Sequence, residues 1–240
     1  MILYAYIKGE RSAAMDRRFL AIVGVIVLAF IGFLVLSNQN NSNGGSSSNS
    51  SAQPTNHVEG DVSSKVTLVE YGDYECPVCE SYFTTVQQVE QTYSSKIKFQ
   101  FRNLPLSQIH PNAIAGARAA EAADLQGKFW QMHDTLYTYQ NWQEWSTSSN
   151  PEPYFWNYAS ALGLNVAKFK TDFASAEVND RVQADLTAFG KTGQQEATPT
   201  FFLNGKYVPN TELVDSTSSQ PSAAQFGKVL DAELKTVNKS

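Results

Sequence analysis

Cysteine and histidine are scarce in this chain of 240 residues, which contains two cysteines and three histidines. Two cysteines cannot build a scaffold held together by many disulfide bonds, so that class of small secreted protein is excluded. Three scattered histidines leave few ligands for a metal centre, and we expect no metal and no dissociable cofactor. A basic excess is also missing, because the formal net charge is −5. Nucleic-acid binding, which needs a concentrated positive surface, is therefore not expected.

Apolar residues make up 42% of the chain, which is enough to bury a substantial core. One uncharged stretch stands apart, FLAIVGVIVLAFIGFLVL at residues 19–36. As a helix it would be about 27 Å long, close to the thickness of a bilayer core. A cleaved signal peptide is the alternative, but its apolar part is usually about 7–15 residues long. We therefore predict a single transmembrane anchor.

The orientation of the anchor follows from the basic residues around it. Four of them precede residues 19–36, and the next basic residue after that span is Lys65. Cytoplasmic flanks carry the excess of lysine and arginine, so residues 1–18 are predicted to be a short cytoplasmic N-terminus. Residues 37–57 are rich in Ser, Asn and Gly and carry no Lys, Arg, Asp or Glu, which predicts a flexible linker. A folded domain at residues 58–240 would then lie outside the cytoplasm, tethered to the cell membrane.

The periodicity of that domain indicates an α/β fold. Residues 65–71 and 97–104 are typical of strands, and residues 76–93 between them are typical of a helix. Helical patterns then fill about ninety residues. Asn204-Gly205 separates two short apolar runs at 200–203 and 206–208, which predicts a β-hairpin. A terminal amphipathic helix follows.

The chemistry concentrates at the run Cys76-Pro77-Val78-Cys79, which holds both cysteines of the chain. Pro77 suits the first turn of a helix, where its missing N–H would have no partner anyway. Cys76 then lies at the helix start, where free N–H groups and the helix dipole favour a thiolate. Cys79 lies one turn further on, close enough to form a disulfide with it. A nucleophilic thiol with a second, resolving thiol behind it is the requirement for thiol–disulfide exchange.

The cysteine pair has two alternative interpretations, half of a zinc site and an inert structural disulfide. Half of a zinc site is disfavoured because His57, His110 and His133 are scattered and supply no second ligand pair. An inert structural disulfide would more often join distant segments. At a strand-to-helix junction outside the cytoplasm, a redox role is favoured.

The Cys-Pro-x-Cys junction, the long helical insert and the strand at Thr198-Pro199-Thr200 resemble the DsbA-like branch of the thioredoxin superfamily. The resemblance covers about residues 62–237. It implies a thioredoxin fold with a helical insertion domain at about 106–195, and thiol:disulfide oxidoreductase activity outside the cytoplasm. It further implies that Pro199 is a cis-proline facing the cysteines and that the Thr198 backbone pairs with an extended substrate. An ordinary trans proline at the start of a strand is the alternative.

Glu70 stands in an otherwise apolar strand, at a position where this branch commonly has a buried acid. The resemblance implies that it accepts the proton of Cys79, whereas a solvated carboxylate on a half-exposed strand is the alternative. Arg102 is a candidate charge partner of Glu70. We expect His110 to be a capping or packing residue and His133 to be a core histidine.

These observations predict a membrane-tethered oxidase that introduces disulfides into exported proteins containing cysteines. Cys76 and Cys79 would carry the reaction, and a quinone-linked membrane partner would reoxidise them. Pro77 and Val78 would tune the potential, and Val78 predicts a milder oxidant than a relative with histidine there. A reductase or isomerase is the alternative within the enzyme class. A binding or chaperone module with a structural disulfide is the alternative outside it.

Overall fold

A computed structural model of the protein describes residues 53–237 and 239. The predicted cytoplasmic N-terminus at 1–18, the predicted anchor at 19–36 and most of the predicted linker lie outside the described residues. Within the part that is described, no helix is both long enough and apolar enough to cross a membrane.

The described residues form one five-stranded sheet with the spatial order β1-β3-β2-β4-β5. Strands β2 and β3 are parallel, whereas the other three neighbouring pairs are antiparallel. The strands are β1 (His57–Gly60), β2 (Thr67–Gly72), β3 (Lys98–Asn103), β4 (Thr200–Leu203) and β5 (Lys206–Val208). The hairpin predicted around Asn204-Gly205 is confirmed, and both residues have positive φ as a tight hairpin turn requires.

Eight α-helices are described, and six of them lie between β3 and β4. They are α1 (Pro77–Tyr93), α2 (Ala113–Asp124), α3 (Phe129–Tyr137), α4 (Tyr139–Ser146), α5 (Glu152–Ala161), α6 (Val166–Phe173), α7 (Ala176–Gly190) and α8 (Ala223–Val237). The helical insert predicted at about 106–195 therefore corresponds to helices α2–α7. A single 3-10 turn at Asn210–Glu212 follows β5.

Both faces of the sheet are covered, and the alternation of side chains along β2 decides what each residue meets. Leu68 points into the larger core, which contains buried residues of α1, α8 and the insert. Tyr71 points to the opposite face, where a smaller cluster includes Phe189 of α7. Central strands buried on both faces are expected to be almost wholly apolar. A charged residue on β2 is therefore exceptional.

The folded domain begins earlier than the predicted boundary at residue 58. His57 is the first residue of β1 and pairs with Phe101, and Thr55 is already buried. The Asp185 carboxylate accepts hydrogen bonds of 2.7 Å from both the N–H and the hydroxyl of Thr55. The end of the predicted linker is thus part of the fold. Its polar sequence gives no local sign of this, because its partner is 130 residues away.

Candidate active site: a cysteine pair at the start of a helix

The two cysteines lie where β2 passes into α1. Pro77 occupies the first turn of α1, and Cys76 is the N-cap residue with an extended backbone. The Cys76 carbonyl oxygen accepts from the Glu80 N–H at 3.1 Å, which starts the helical hydrogen-bond ladder. Both cysteines are free thiols. Cys76 is 5% exposed and Cys79 is 1% exposed, so even the thiol at the start of the helix is largely buried.

The two thiols differ sharply in acidity. A hydrogen bond from Cys79 is the largest influence on Cys76, and with help from Thr198 and from backbone N–H groups it outweighs burial. Together these contacts lower the pKa of Cys76 to about 6. Burial raises the pKa of Cys79 well above its ordinary value, and the neighbouring Cys76 adds to the shift. Cys76 is therefore suited to act as a thiolate nucleophile, while Cys79 keeps its proton.

Strand β4 brings a distant segment to the cysteines. Because β4 runs antiparallel to β2, its first residues lie beside the end of β2 that leads to Cys76. The Thr198 carbonyl oxygen lies 3.5 Å from the Cys76 sulfur. The Thr198–Pro199 peptide bond is cis, as the family resemblance implied.

Glu70 is buried in the larger core, with 4% of its surface exposed. Its neighbours across the sheet are Phe101 on β3 and Phe201 on β4. Burial raises the pKa of Glu70 to about 8, and the charge of Glu70 in turn raises the pKa of Cys79. The alternative of a solvated carboxylate on a half-exposed strand is therefore wrong.

Arg102 is not the charge partner of Glu70. It lies opposite Tyr71 in the sheet, and its Nη1 donates to the Tyr71 hydroxyl at 2.9 Å. Successive residues of a strand point to opposite faces, so Arg102 lies on the face that carries Tyr71 rather than the face that carries Glu70.

The carboxylates nearest to Cys76 in sequence are engaged elsewhere. Asp73 accepts from the Leu106 N–H at 2.9 Å and contacts His110 Nδ1 at 2.6 Å. Glu75 accepts from the Asn112 N–H, just before α2. No carboxylate is among the main influences on Cys76. Asp73 and Glu75 are instead bonded to the segment just before α2.

His110 and His133 have structural roles. His110 Nδ1 lies 2.6 Å from the Asp73 carboxylate, which extends its expected packing role. His133 is buried, and its Nδ1 lies 3.0 Å from the Tyr74 hydroxyl, so the prediction of a core histidine is confirmed. Burial lowers the pKa of His133 to about 3, and His133 is therefore neutral.

Two hydrogen bonds at the site were not predicted from the sequence. The Trp142 indole Nε1 donates to the Tyr74 carbonyl oxygen at 2.9 Å. The Asn210 side chain donates to the Pro199 carbonyl oxygen at 3.0 Å. Trp142 is 68 residues from Tyr74, and a half-buried tryptophan on an amphipathic helix carries no signal that would connect it with the cysteines.

One group of possible metal ligands is present among the described residues, formed by His57, Glu121 and Asp124. The His57 ring lies between the two carboxylates, with Nε2 2.8 Å from Glu121 and Nδ1 3.5 Å from Asp124. Burial opposes the charge on His57, but hydrogen bonds to both acids raise its pKa to about 9. Arg181 pairs with the same two acids. Two protein cations thus neutralise this cluster, and we interpret it as an ion-pair network.

The sequence model of the thioredoxin family matches residues 52–232. Among curated proteins, a Na(+)/H(+) antiporter NhaA 1 of Mycolicibacterium gilvum is 38% identical over 152 residues, 62% of this chain and 23% of the antiporter. The NhaA 1 of Salinispora arenicola is 33% identical over 171 residues, 71% of this chain and 25% of the antiporter. The similar stretch thus spans about a quarter of the length of these relatives, whose name describes the whole proteins.

Solved structures share the architecture. A thioredoxin-like oxidoreductase from Silicibacter pomeroyi has a TM-score of 0.60 and 24% identity, over 77% of this chain and 95% of that one. BdbD from Bacillus subtilis has a TM-score of 0.60 and 21% identity, over 76% and 96%. Wolbachia pipientis alpha-DsbA1 has a TM-score of 0.60 and 17% identity, over 76% and 92%. At these identities the likeness shows a shared fold. Because the family's sequence model covers most of the chain, the chain belongs to the thioredoxin family, here with six helices inserted between β3 and β4.

Proposed function

We propose that this protein is a thiol:disulfide oxidase that introduces disulfide bonds into exported proteins. The observation that carries the proposal is the contrast between the two thiols, an acidic Cys76 beside a buried Cys79 that keeps its proton. A stabilised Cys76 thiolate favours the reduced form of the pair, and a pair whose reduced form is favoured is an oxidising disulfide.

The reaction balances over the two cysteines. A substrate thiolate attacks the Cys76 sulfur of the Cys76–Cys79 disulfide, and Cys79 leaves and takes up a proton. A second substrate thiolate then attacks the substrate sulfur of the mixed disulfide, which forms the substrate disulfide and releases Cys76 as a thiolate. Two electrons remain on the cysteine pair, so an electron acceptor is required, and we propose a membrane partner of the quinone-linked class.

The mixed disulfide can also be resolved without forming a substrate disulfide, and Glu70 takes part in that competing reaction. There the Cys79 thiol gives its proton to Glu70 and attacks the Cys76 sulfur, which returns the substrate as a thiolate. A buried carboxylate with a pKa of about 8 is well matched to accept a proton near neutral pH. The backbone of Thr198, beside the Cys76 sulfur, is proposed to pair with the extended substrate.

The proposal is tested in a strain that lacks its own disulfide oxidase. The full-length protein should restore disulfide formation in an exported reporter, and alkylation in intact cells should trap Cys76 and Cys79 mainly as a disulfide. A variant with both cysteines changed to serine should be inactive. Equal activity of that variant would favour a binding module, and a mainly reduced pair with isomerase activity would favour the reductase or isomerase alternative.

The location belongs to the same proposal. Residues 19–36 are proposed to anchor the protein in the cell membrane, with residues 1–18 in the cytoplasm and the redox domain outside. The full-length protein should remain in the membrane fraction after washing with carbonate, and an external protease should remove the domain from spheroplasts. Recovery of the full-length protein in the soluble fraction would contradict the anchor without affecting the redox proposal.

A further inference from the structure

Each of the three residues directly before Cys76 is bonded to the segment between β3 and β4. Asp73 contacts the loop before α2 through the Leu106 N–H and His110. The Tyr74 hydroxyl contacts His133 on α3, and the Tyr74 carbonyl oxygen accepts from Trp142 on α4. The Glu75 carboxylate accepts from the Asn112 N–H. The turn that carries the nucleophile is thus held from the side of the insert.

The peptide group between Tyr74 and Glu75 is held at both of its polar ends. Its carbonyl oxygen accepts from Trp142 Nε1 at 2.9 Å, and its N–H donates to Asp73 Oδ1 at 2.8 Å. Both distances are those of well-formed hydrogen bonds. The next N–H, that of Cys76, donates to the Asp73 carbonyl oxygen at 3.1 Å. The orientation of the peptide group between Tyr74 and Glu75 therefore helps to set the position of Cys76.

We propose that Trp142 is a positioning residue for Cys76. Its indole N–H binds the partial negative charge of the Tyr74 carbonyl oxygen and fixes the turn that presents the Cys76 sulfur to the N–H groups of Val78 and Cys79. The insert thereby helps to set the acidity of the nucleophile, although Trp142 acts only through Tyr74.

The physical reason is that short-range hydrogen bonds stabilise the Cys76 thiolate. The contacts from Cys79, Thr198 and the backbone N–H groups are sensitive to small displacements of the sulfur. Without the indole N–H, the Tyr74 carbonyl oxygen loses its donor in a buried position and the peptide group is held only through its N–H, by Asp73. Both effects make a nearby thiolate less favourable.

The matched pair of variants is Trp142→Phe and Trp145→Phe, because both tryptophans are on α4 and both donate to a carbonyl oxygen. Trp145 Nε1 donates to Leu136 at 3.0 Å, inside the insert, and Trp145 is fully buried. Trp142→Phe should raise the pKa of Cys76 by about half to one unit, a three- to tenfold higher proton affinity. Trp145→Phe should lower the melting temperature more and leave the Cys76 titration unchanged.

The measurement is the alkylation rate of Cys76 against pH in the reduced full-length protein. Both substitutions leave the titratable groups around the cysteines in place. These are Cys79, Glu80 and Tyr82 on α1, Glu70 on β2, Asp73 and Glu75 in the turn, His110 in the loop after β3, and Tyr137 on α3. An unchanged profile in Trp142→Phe, or an equal shift in Trp145→Phe, would overturn the inference.

A second measurement uses the wild-type protein, and variants are needed only to assign the indole N–H resonances. In the reduced wild-type protein the indole N–H resonance of Trp142 should shift with pH at the midpoint of the Cys76 titration, whereas that of Trp145 should not. A Trp142 resonance that ignores this titration would also contradict the inference. The inference rests on the proposed role of Cys76 as nucleophile, but neither readout uses a substrate. Failure of the oxidase test with these shifts present would overturn the proposed function alone.

Discussion

Cys76 and Cys79 lie within one helical turn, yet their environments give them opposite proton affinities. Hydrogen bonds lower the pKa of Cys76 to about 6, whereas burial raises that of Cys79. Cys79→Ser should therefore accumulate mixed disulfides through Cys76, because the resolving thiol is missing. Cys76→Ser should accumulate few, because the remaining thiol is buried and protonated. Non-reducing gels and mass spectrometry of trapped species check this, and faster alkylation of Cys79 than of Cys76 at neutral pH would contradict it.

We expect Val78 to limit how oxidising the pair is, since this residue is 47% exposed beside the helix start and its side chain offers no charge or hydrogen bond. A histidine there would add a positive charge near the Cys76 thiolate. Val78→His should raise the reduction potential, by about 30 mV for each tenfold gain in thiolate stability. A glutathione redox titration measures the shift. Val62→His is the control, because Val62 is also exposed but lies outside the site. An unchanged or lower potential in Val78→His would show that other groups set the thiolate's stability.

Glu70 combines its proposed role as proton acceptor with a cost in stability that depends on pH. Its pKa is about 8 in the folded protein and about 4.5 when exposed, so folding favours the protonated acid. This contribution is fully present below pH 4.5 and is lost as the pH rises through 8. Glu70→Gln should thus be more stable than the wild type at pH 9, by about 2–4 kcal/mol, and should release mixed disulfides more slowly.

The control for Glu70 is Glu90→Gln. Glu90 is a half-buried acid later on α1, and burial raises its pKa to about 9. It should reproduce the gain in stability without the slower release. Urea unfolding at several pH values and stopped-flow exchange with a model peptide separate the two effects. Equal release rates in all three proteins would exclude Glu70 as the proton acceptor.

At the scale of elements, β1 depends on the insert for its place at the edge of the sheet. Asp185 of α7 accepts from Thr55 and from both the backbone and the side chain of Asn103 on β3. Asp185→Ala leaves the N–H and hydroxyl of Thr55 and the N–H of Asn103 without this acceptor, although the Asn103 side chain keeps its bond to Glu121. It should lower the free energy of unfolding by about 3–5 kcal/mol. Asp180→Ala on the same helix should cost less than about 0.5 kcal/mol. Urea titration tests both, and equal effects would show that the contact to Thr55 and β3 contributes little.

Elements with strong local patterns could be predicted from the sequence, whereas those defined by distant partners could not. The hairpin at Asn204-Gly205 and the strands on either side of α1 follow from turn chemistry and apolar runs. Strand β1 was missed because its four residues show no apolar alternation, and Asp185 lies far along the chain. The predicted pairing of Arg102 with Glu70 was wrong. Alternation along β3 already places Arg102 and Phe101 on different faces of the sheet, and Phe101 is the neighbour of Glu70.

At the scale of the whole molecule, the site combines three separate stretches of chain. The stretch from Glu70 to Cys79 supplies the reacting groups, and it could be recognised because its chemistry is local. The insert supplies Trp142 and the segment after it supplies Thr198, and only the fold brings these to the cysteines. The sequence therefore locates the cysteine pair at the start of a helix but not the side chains around it. Physically, acidity depends on contacts of a few ångströms that no pattern of spacing encodes.

The antiparallel pairing of β2 with β4 has a consequence for the time course of synthesis. Cys76 and Thr198 are 122 residues apart, and a ribosome adds about 5–20 residues per second. The thiols thus leave the ribosome about 6–24 s before the segment that contacts them leaves it. During that interval α1 has no finished sheet to pack on, and Cys76 lacks the contact with Thr198. Until then we expect both thiols to behave as ordinary cysteines, and the proposed redox chemistry to appear only after the segment with Thr198 has been added.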